Sequence, residues 1–294
     1  MREVRFYELI ELLFPNPYPN IPRCLSTFIP EDKSNFYLVL EDITASHHSD
    51  ESVDFQAPEH WKMVVAALAK FHQCFTHKLG DDQIHDRVDD KDDAERYLNK
   101  LNRAFKRFES DHREILDSAV LSLMQLSIPL IRAFELEEVV RVHEKELTTI
   151  LHRDAHVKNF LYPLSEGAEA VIVDWQFWGL GIGAFDLQHL FGSGFSRDLR
   201  SHQAELVRHY YDTYQNGLDV DYSWDDCWLD LRKGIIDKMF MPVWQYTDFG
   251  WGADRWGKTF VASVENYHAL ECGDRPSGKE IILNLGVVLR SGRM

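Results

Sequence analysis

The chain has 294 residues, 45% of them apolar and 27% charged, which is enough for one large or two smaller globular domains with a substantial core. Its formal net charge of −16 argues against a general nucleic-acid binder, which would repel phosphates. That charge suits a cationic small molecule, a metal–nucleotide complex, or solubility alone.

Four cysteines, at positions 24, 74, 227 and 272, form no CxxC pair and read as free thiols of a reducing compartment. The N-terminus, MREVRFYELIELLF, has no signal-peptide apolar run, so a cytoplasmic protein is expected. Val4, Tyr7, Ile10, Leu13 and Phe14 recur at helical spacing until PNPYPN ends the pattern. RCLSTFI and NFYLVLE predict two strands joined by a turn at PEDKS. HHSDESVDFQAP reads as a polar connection, with His47 and His48 an exposed pair. From Trp61 the chain reads as helical, and Trp61, Val64, Val65, Leu68, Phe71 and Phe75 share one apolar face. His72 and Cys74 lie on or beside that face.

The acidic run DDQIHDRVDDKDD is expected to be a solvated loop and helix start. Further helices are predicted over about 90–108, 112–127 and 133–146. The run SAVLSLMQLSIPLI falls short of the roughly 20 residues of a membrane helix, so no membrane partner is expected. LTTIL, FLYP and EAVIVDW then predict short strands, with SEG turning between the last two. Helices resume near Phe185 and run to about residue 270. Residues 248–257, DFGWGADRWG, follow no apolar strand and read as a Gly/Trp-rich loop near a binding pocket, where Trp244, Trp251 and Trp256 either pack or stack on a ligand.

The densest polar stretch is LHRDAHVKNFLYP, residues 151–163. His152, Asp154 and Asn159 follow H-x-D-x-x-x-x-N, and Asp174 closes the next apolar strand. A hydroxyl kinase needs a carboxylate beside the acceptor hydroxyl, and an amide plus a second carboxylate to hold Mg²⁺ on the phosphates. Asp154, Asn159 and Asp174 supply that set in order. A different chemistry, a metallohydrolase centred on His152, Asp154 and His156, is the alternative reading of the same cluster.

The stretch LHRDAHVKNFLYP…EAVIVDWQFWGLGIGAFDLQHLFG resembles the aminoglycoside and choline kinase-like phosphotransferases, closest to their ecdysteroid-kinase-like (CHK kinase-like) branch. REVRFYELI, IPRCL, FYLVLEDIT and ALAKFHQCF agree in order, so the resemblance spans nearly the whole chain. It implies an α+β, protein-kinase-like two-lobe fold, with residues 1–42 a remnant of the small lobe and residues 43–294 a large, mainly helical lobe.

The resemblance also implies ATP and Mg²⁺ as cofactors and a small-molecule hydroxyl acceptor, cationic or apolar. Asp154 becomes the catalytic carboxylate, and Asn159 and Asp174 the metal ligands. Glu3 is the helix glutamate that meets a nucleotide-binding lysine. Leu40, Glu41, Asp42 and Ile43 form the hinge facing adenine. His152 fixes the loop backbone, and Asp186 braces the loop or caps its helix. The family's small lobe opens with a glycine-containing phosphate loop and that lysine, whereas this chain starts at the helix bearing Glu3. Weakened nucleotide binding, self-association through the exposed strand edge, or a non-catalytic kinase-like binding protein are the expectations attached to that departure.

Overall fold

The computed structural model describes residues 2–14, 20–31, 35–49, 57–76, 78, 91–144, 147–192 and 197–269. Helix α1, Arg2–Leu13, buries Val4, Phe6, Tyr7, Leu9 and Ile10, while Leu13 and Phe14 are half-buried. Strands β1, Cys24–Phe28, and β2, Tyr37–Leu40, pair antiparallel as the sequence predicts, with a bulge between Cys24 and Ser26. Leu25, Phe28, Phe36, Tyr37 and Val39 of this small sheet region stand 44–53% exposed.

The predicted polar connection is corrected at its start. His47–His48 form a two-residue strand, β3, against Tyr162 and Pro163. Both histidines are half-buried, and His47 Nε2 meets the Glu169 carbonyl at 3.0 Å. Most of the acidic run, residues 81–90, lies outside the described residues.

Helix α2, Pro58–Phe75, buries the whole predicted face from Trp61 to Phe75. Helix α3 covers Lys91–His112. The two helices predicted over 112–127 and 133–146 are instead one, α4, Ser118–His143. Asp117 caps it, accepting the Ala119 and Val120 amide protons at 2.7 and 3.3 Å. Pro129 lies inside the helix, at a cost of about 3 kcal/mol for the lost hydrogen bond and ring clash. Burial of Met124, Ile128, Ile131 and Phe134 along a single face on both sides of the proline offsets that cost. The uninterrupted span 118–142 therefore has the length and apolarity of a membrane-crossing helix, which corrects the shorter run read from sequence; its inner face packs into the core.

Four short strands frame the polar stretch. β4, Thr148–Leu151, is buried throughout and pairs antiparallel with β7, Gly179–Ile182. β5, Phe160–Pro163, pairs with β6, Val171–Ile172, which stops two residues before Asp174. Helices α5 (Ala184–Gly192), α6 (Gln203–Gln215), α7 (Trp224–Lys238), α8 (Met241–Thr247) and α9 (Ala253–Ala269) complete the large helical part. Ser223 and Asp226 form a reciprocal capping box at the start of α7. Trp256 is buried against Phe108 and His112, whereas Trp244 and Trp251 are half-buried. Cys24, Cys74 and Cys227 are free thiols; Cys272 lies outside the described residues.

Candidate active site

The loop between β4 and β5 carries His152, Asp154 and Asn159. Its first turn is held from below by Asp186 of α5, which is 1% exposed. Asp186 Oδ2 accepts the His152 amide proton at 2.6 Å and Oδ1 the Arg153 amide proton at 2.8 Å. Oδ2 also meets His72 Nε2 at 3.2 Å, and His72 Nδ1 meets the Tyr210 hydroxyl at 2.8 Å. Burial alone would raise the Asp186 carboxyl, but the His72 hydrogen bond and charge, with His152, hold it below its ordinary value. Asp186 thus braces the loop backbone.

His152 is fully buried. The Asp154 amide donates to its Nδ1 at 3.2 Å, so Nε2 bears the proton and donates to the Val173 carbonyl at 2.9 Å. Burial lowers its pKa, consistent with a neutral ring. With both nitrogens engaged, His152 cannot ligate a metal. Among the described residues, no group of three or more His, Cys, Asp or Glu side chains could hold one. The metallohydrolase reading of His152, Asp154 and His156 therefore fails.

Asp154 is half-buried at the wall of a cleft of about 1090 Å³ that Arg2, Tyr97, Phe177, Trp244, Phe249 and Trp251 also line. His189 Nε2 lies 3.0 Å from its Oδ1, and His156 Nε2 lies 3.8 Å from its Oδ2. Burial pushes the Asp154 carboxyl up, but the His189 hydrogen bond and the nearby histidines outweigh it and leave it below its usual value.

Asn159 is buried at the end of a single 3₁₀ turn, Val157–Asn159. Its Nδ2 donates to the Asp154 carbonyl at 2.9 Å, which fixes the amide and leaves Oδ1 as an oxygen donor. The Val173 amide donates to the Asn159 carbonyl at 2.9 Å, so the β5–β6 hairpin sets Asp174 beside Asn159. Asp174 and Arg153 both occupy the left-handed backbone region, at φ 66° and 64°. An amide oxygen and a carboxylate are hard donors of the kind that Mg²⁺ takes.

Glu3 does not meet a lysine among the described residues. Its Oε1 accepts the Trp175 amide proton at 3.1 Å, and Trp178 Nε1 donates to the Arg2 carbonyl at 2.8 Å. Phe6 stacks on Trp175 with centroids 4.1 Å apart. Burial, opposed by the Trp175 bond and reinforced by Asp174, raises the Glu3 carboxyl.

At the expected hinge, the Leu40–Ile43 segment leaves β2. The Glu41 amide donates to the Arg23 carbonyl at 3.0 Å, and Glu41 Oε1 accepts the Arg23 amide proton at 2.8 Å. Asp42 Oδ1 accepts from the Thr44 amide and hydroxyl, and the Ile43 carbonyl accepts the Ser46 and His47 amide protons. Two backbone groups of the expected hinge, the Glu41 N–H and the Ile43 carbonyl, are thus already committed within the protein.

Sequence reasoning missed several residues here. His189 of α5 reaches Asp154, and Lys238 of α7 reaches His189. Gly183 has no room for a side chain, since a Cβ there would lie 2.3 Å from the Tyr210 hydroxyl and 2.7 Å from His72 Nδ1. Neither His189 nor Lys238 has a local signal. The GLGIGAFD stretch itself was the available hint, glycines marking close backbone approach.

A small strand-and-helix part, a large helical part and a catalytic-type loop braced from α5 define a protein-kinase-like fold. Solved structures agree. A choline/ethanolamine kinase family protein from Mesorhizobium loti superposes with a TM-score of 0.55 at 13% identity, covering 97% of this chain and 80% of that one. A Ralstonia eutropha protein described as an aminoglycoside phosphotransferase also gives 0.55 at 13% identity, covering 90% and 82%. An aminoglycoside phosphotransferase solved as a ternary complex with streptomycin and ATP gives 0.52 at 14% identity, covering 90% and 79%. A search of curated protein sequences finds no match. The chain belongs to the ecdysteroid kinase-like family, whose family model matches residues 16–220.

Proposed function

We propose that the chain transfers a phosphoryl group from ATP to a hydroxyl of a small molecule bound in the cleft beside Asp154. The observation that carries this reading is the state of the Asp154 carboxylate. It lines the cleft, one oxygen is tied to His189, and it is held below its ordinary value, so it is ionised near neutral pH. An ionised carboxylate there orients the acceptor hydroxyl and takes its proton as the oxygen attacks phosphorus. Asn159 Oδ1 and the Asp174 carboxylate would hold Mg²⁺, which would offset negative charge on the phosphates. Glu3, bonded to the residue after Asp174, keeps that carboxylate in place.

Residues 1–42 are read as the small-lobe part and 43–294 as the large lobe. In support, α1, β1 and β2 lie in the first segment, while β3 from His47 onward pairs with β5 of the catalytic hairpin. The acceptor is a hydroxyl compound of the kinds named for the family and its neighbours: an ecdysteroid, choline, ethanolamine or an aminoglycoside.

The second reading, a kinase-like binding protein without turnover, draws on Glu3, whose carboxylate is engaged by the Trp175 amide. One experiment separates the two. Thermal stabilisation by ATP with Mg²⁺ is measured first, then ADP release with each acceptor. Asp154→Asn should leave stabilisation intact and lower turnover about 10²- to 10⁴-fold. Asp174→Ala should lose the Mg²⁺-dependent stabilisation. Stabilisation without turnover favours the binding protein. Near-normal turnover in Asp154→Asn refutes the mechanism.

A further inference from the structure

Behind Asp154 lies a buried pair that the loop motif does not contain. Lys238, the last residue of α7, is 4% exposed, and His189 of α5 is 8% exposed. Lysine is seldom buried this far without a partner. The Lys238 Nζ lies 2.5 Å from His189 Nδ1 and 3.4 Å from Nε2. His189 Nε2 in turn lies 3.0 Å from Asp154 Oδ1. The three side chains form a line from α7 through α5 to the catalytic-type loop.

We propose that Lys238, acting through His189, is a positioning residue for Asp154: it sets the His189 tautomer, so that one Asp154 oxygen is held and the other is presented to the acceptor. This rests on the phosphotransferase reading above. The argument is one of hydrogen-bond sign. An ammonium only donates, so it can face only the lone pair of Nδ1. The ring proton then sits on Nε2, where it points at Asp154 Oδ1. Oδ2 is left for the acceptor side, with His156 3.8 Å away.

The charges around the pair are consistent with a neutral ring. Burial, reinforced by Lys238, pushes His189 down to about 4, against the pull of Asp154 and Asp186. Burial likewise pushes Lys238 down to about 7, against Asp154, Asp237 and Asp186. The groups packed against Lys238 come from every side. Asp237 is its neighbour on α7, with the Tyr97 hydroxyl of α3 donating to Asp237 Oδ1 at 3.0 Å. Asp186 and His189 lie on α5, and Asp154 on the loop. Met241 and Trp244 of α8 line the same cavity, and the Ser263 hydroxyl of α9 donates to the Lys238 carbonyl. Once Lys238 loses its proton, its amine becomes an acceptor. The His189 proton can then move to Nδ1, which turns the Nε2 lone pair toward the carboxylate and removes its donor.

The test reads His189 directly. Histidine-labelled protein, without ligand, is followed by ¹⁵N NMR from pH 5.5 to 8.5, with His189→Gln to assign the ring. The wild type should have an unprotonated Nδ1 and a protonated Nε2 at low pH, and should change state in a single step near neutrality. Lys238→Met should abolish that step. Turnover with an acceptor found as above, or acceptor-independent ATP hydrolysis, should fall about 10²-fold in kcat in Lys238→Met, as expected for a misplaced reacting group, with KM for ATP unchanged. A ring protonated at Nδ1 in the wild type at low pH, or a step that survives Lys238→Met, overturns the proposal. So does unchanged kcat in the variant. If Lys238→Met does not fold, the wild-type titration still decides the tautomer. Absence of turnover in the wild type would sink the phosphotransferase reading, while the NMR arm would judge the Lys238–His189 link separately.

Discussion

Replacing Asp186 by alanine should destabilise the protein more than any other change at the loop. The carboxylate is buried and accepts bonds at 2.6, 2.8 and 3.2 Å from the His152 amide, the Arg153 amide and His72. Asp186→Ala removes the acceptor from all three donors, the His152 amide and His72 being buried and the Arg153 amide partly so. Removing one member of a buried charged network costs about 3–5 kcal/mol, because the remaining groups stay desolvated and unpaired. At about 2 °C per kcal/mol for a chain of this size, the melting temperature should drop roughly 6–10 °C. The cost should also depend on pH. The folded-state carboxyl titrates below its ordinary value, so its stabilisation is complete above the unfolded carboxylate range, near pH 4. It is lost as pH falls through the lower folded value. Urea denaturation of both proteins between pH 3 and 8 should therefore show the widest gap near neutrality, closing on acidification. A gap under about 1 kcal/mol at pH 7 would mean that the loop amides find other partners, and that Asp186 is not the brace described.

Gly183→Ala should cost about 1–3 kcal/mol in the same assay, because its Cβ would collide with the buried, hydrogen-bonded His72–Tyr210 pair. Glu138 offers a pH effect of opposite sign to Asp186. Burial pushes its carboxyl up to about 7, with Arg153 opposing and Asp237 reinforcing, and its Oε1 finds no hydrogen-bond partner among the described residues. The folded state therefore holds a proton that the unfolded chain gives up, and stability should fall between about pH 4.5 and 7. Glu138→Gln should remove this slope, at most roughly 1.4 kcal/mol per pH unit; identical pH–stability curves for the two proteins would count against it.

Much of the loop and its hairpin was legible from LHRDAHVKN and EAVIVDW, because polar residues at strand ends and apolar alternation are local signals. The α2 face from Trp61 to Phe75 was legible for the same reason. The continuity of α4 was not, since Pro129 is a strong local breaker and only tertiary burial of the flanking apolar residues overrides it. The β4–β7 pairing joins residues more than 25 apart, and short strands of this kind do not announce their partner. His189 and Lys238 lie 35 and 84 positions beyond Asp154, so nothing in spacing could couple them to it. The expected lysine partner of Glu3 was a family inference. In the structure the Glu3 carboxylate accepts the Trp175 amide proton.

The Glu3–Trp175 bond, the Trp178–Arg2 bond and the Phe6–Trp175 stack clamp α1 onto the segment directly after Asp174. Helix α1 is thereby tied to the turn that follows Asp174. A displacement of α1 would be passed through Trp175 and Trp178 to the segment that carries Asp174. The same contacts place two tryptophans as built-in fluorophores on that linkage, so the coupling carries its own optical signal.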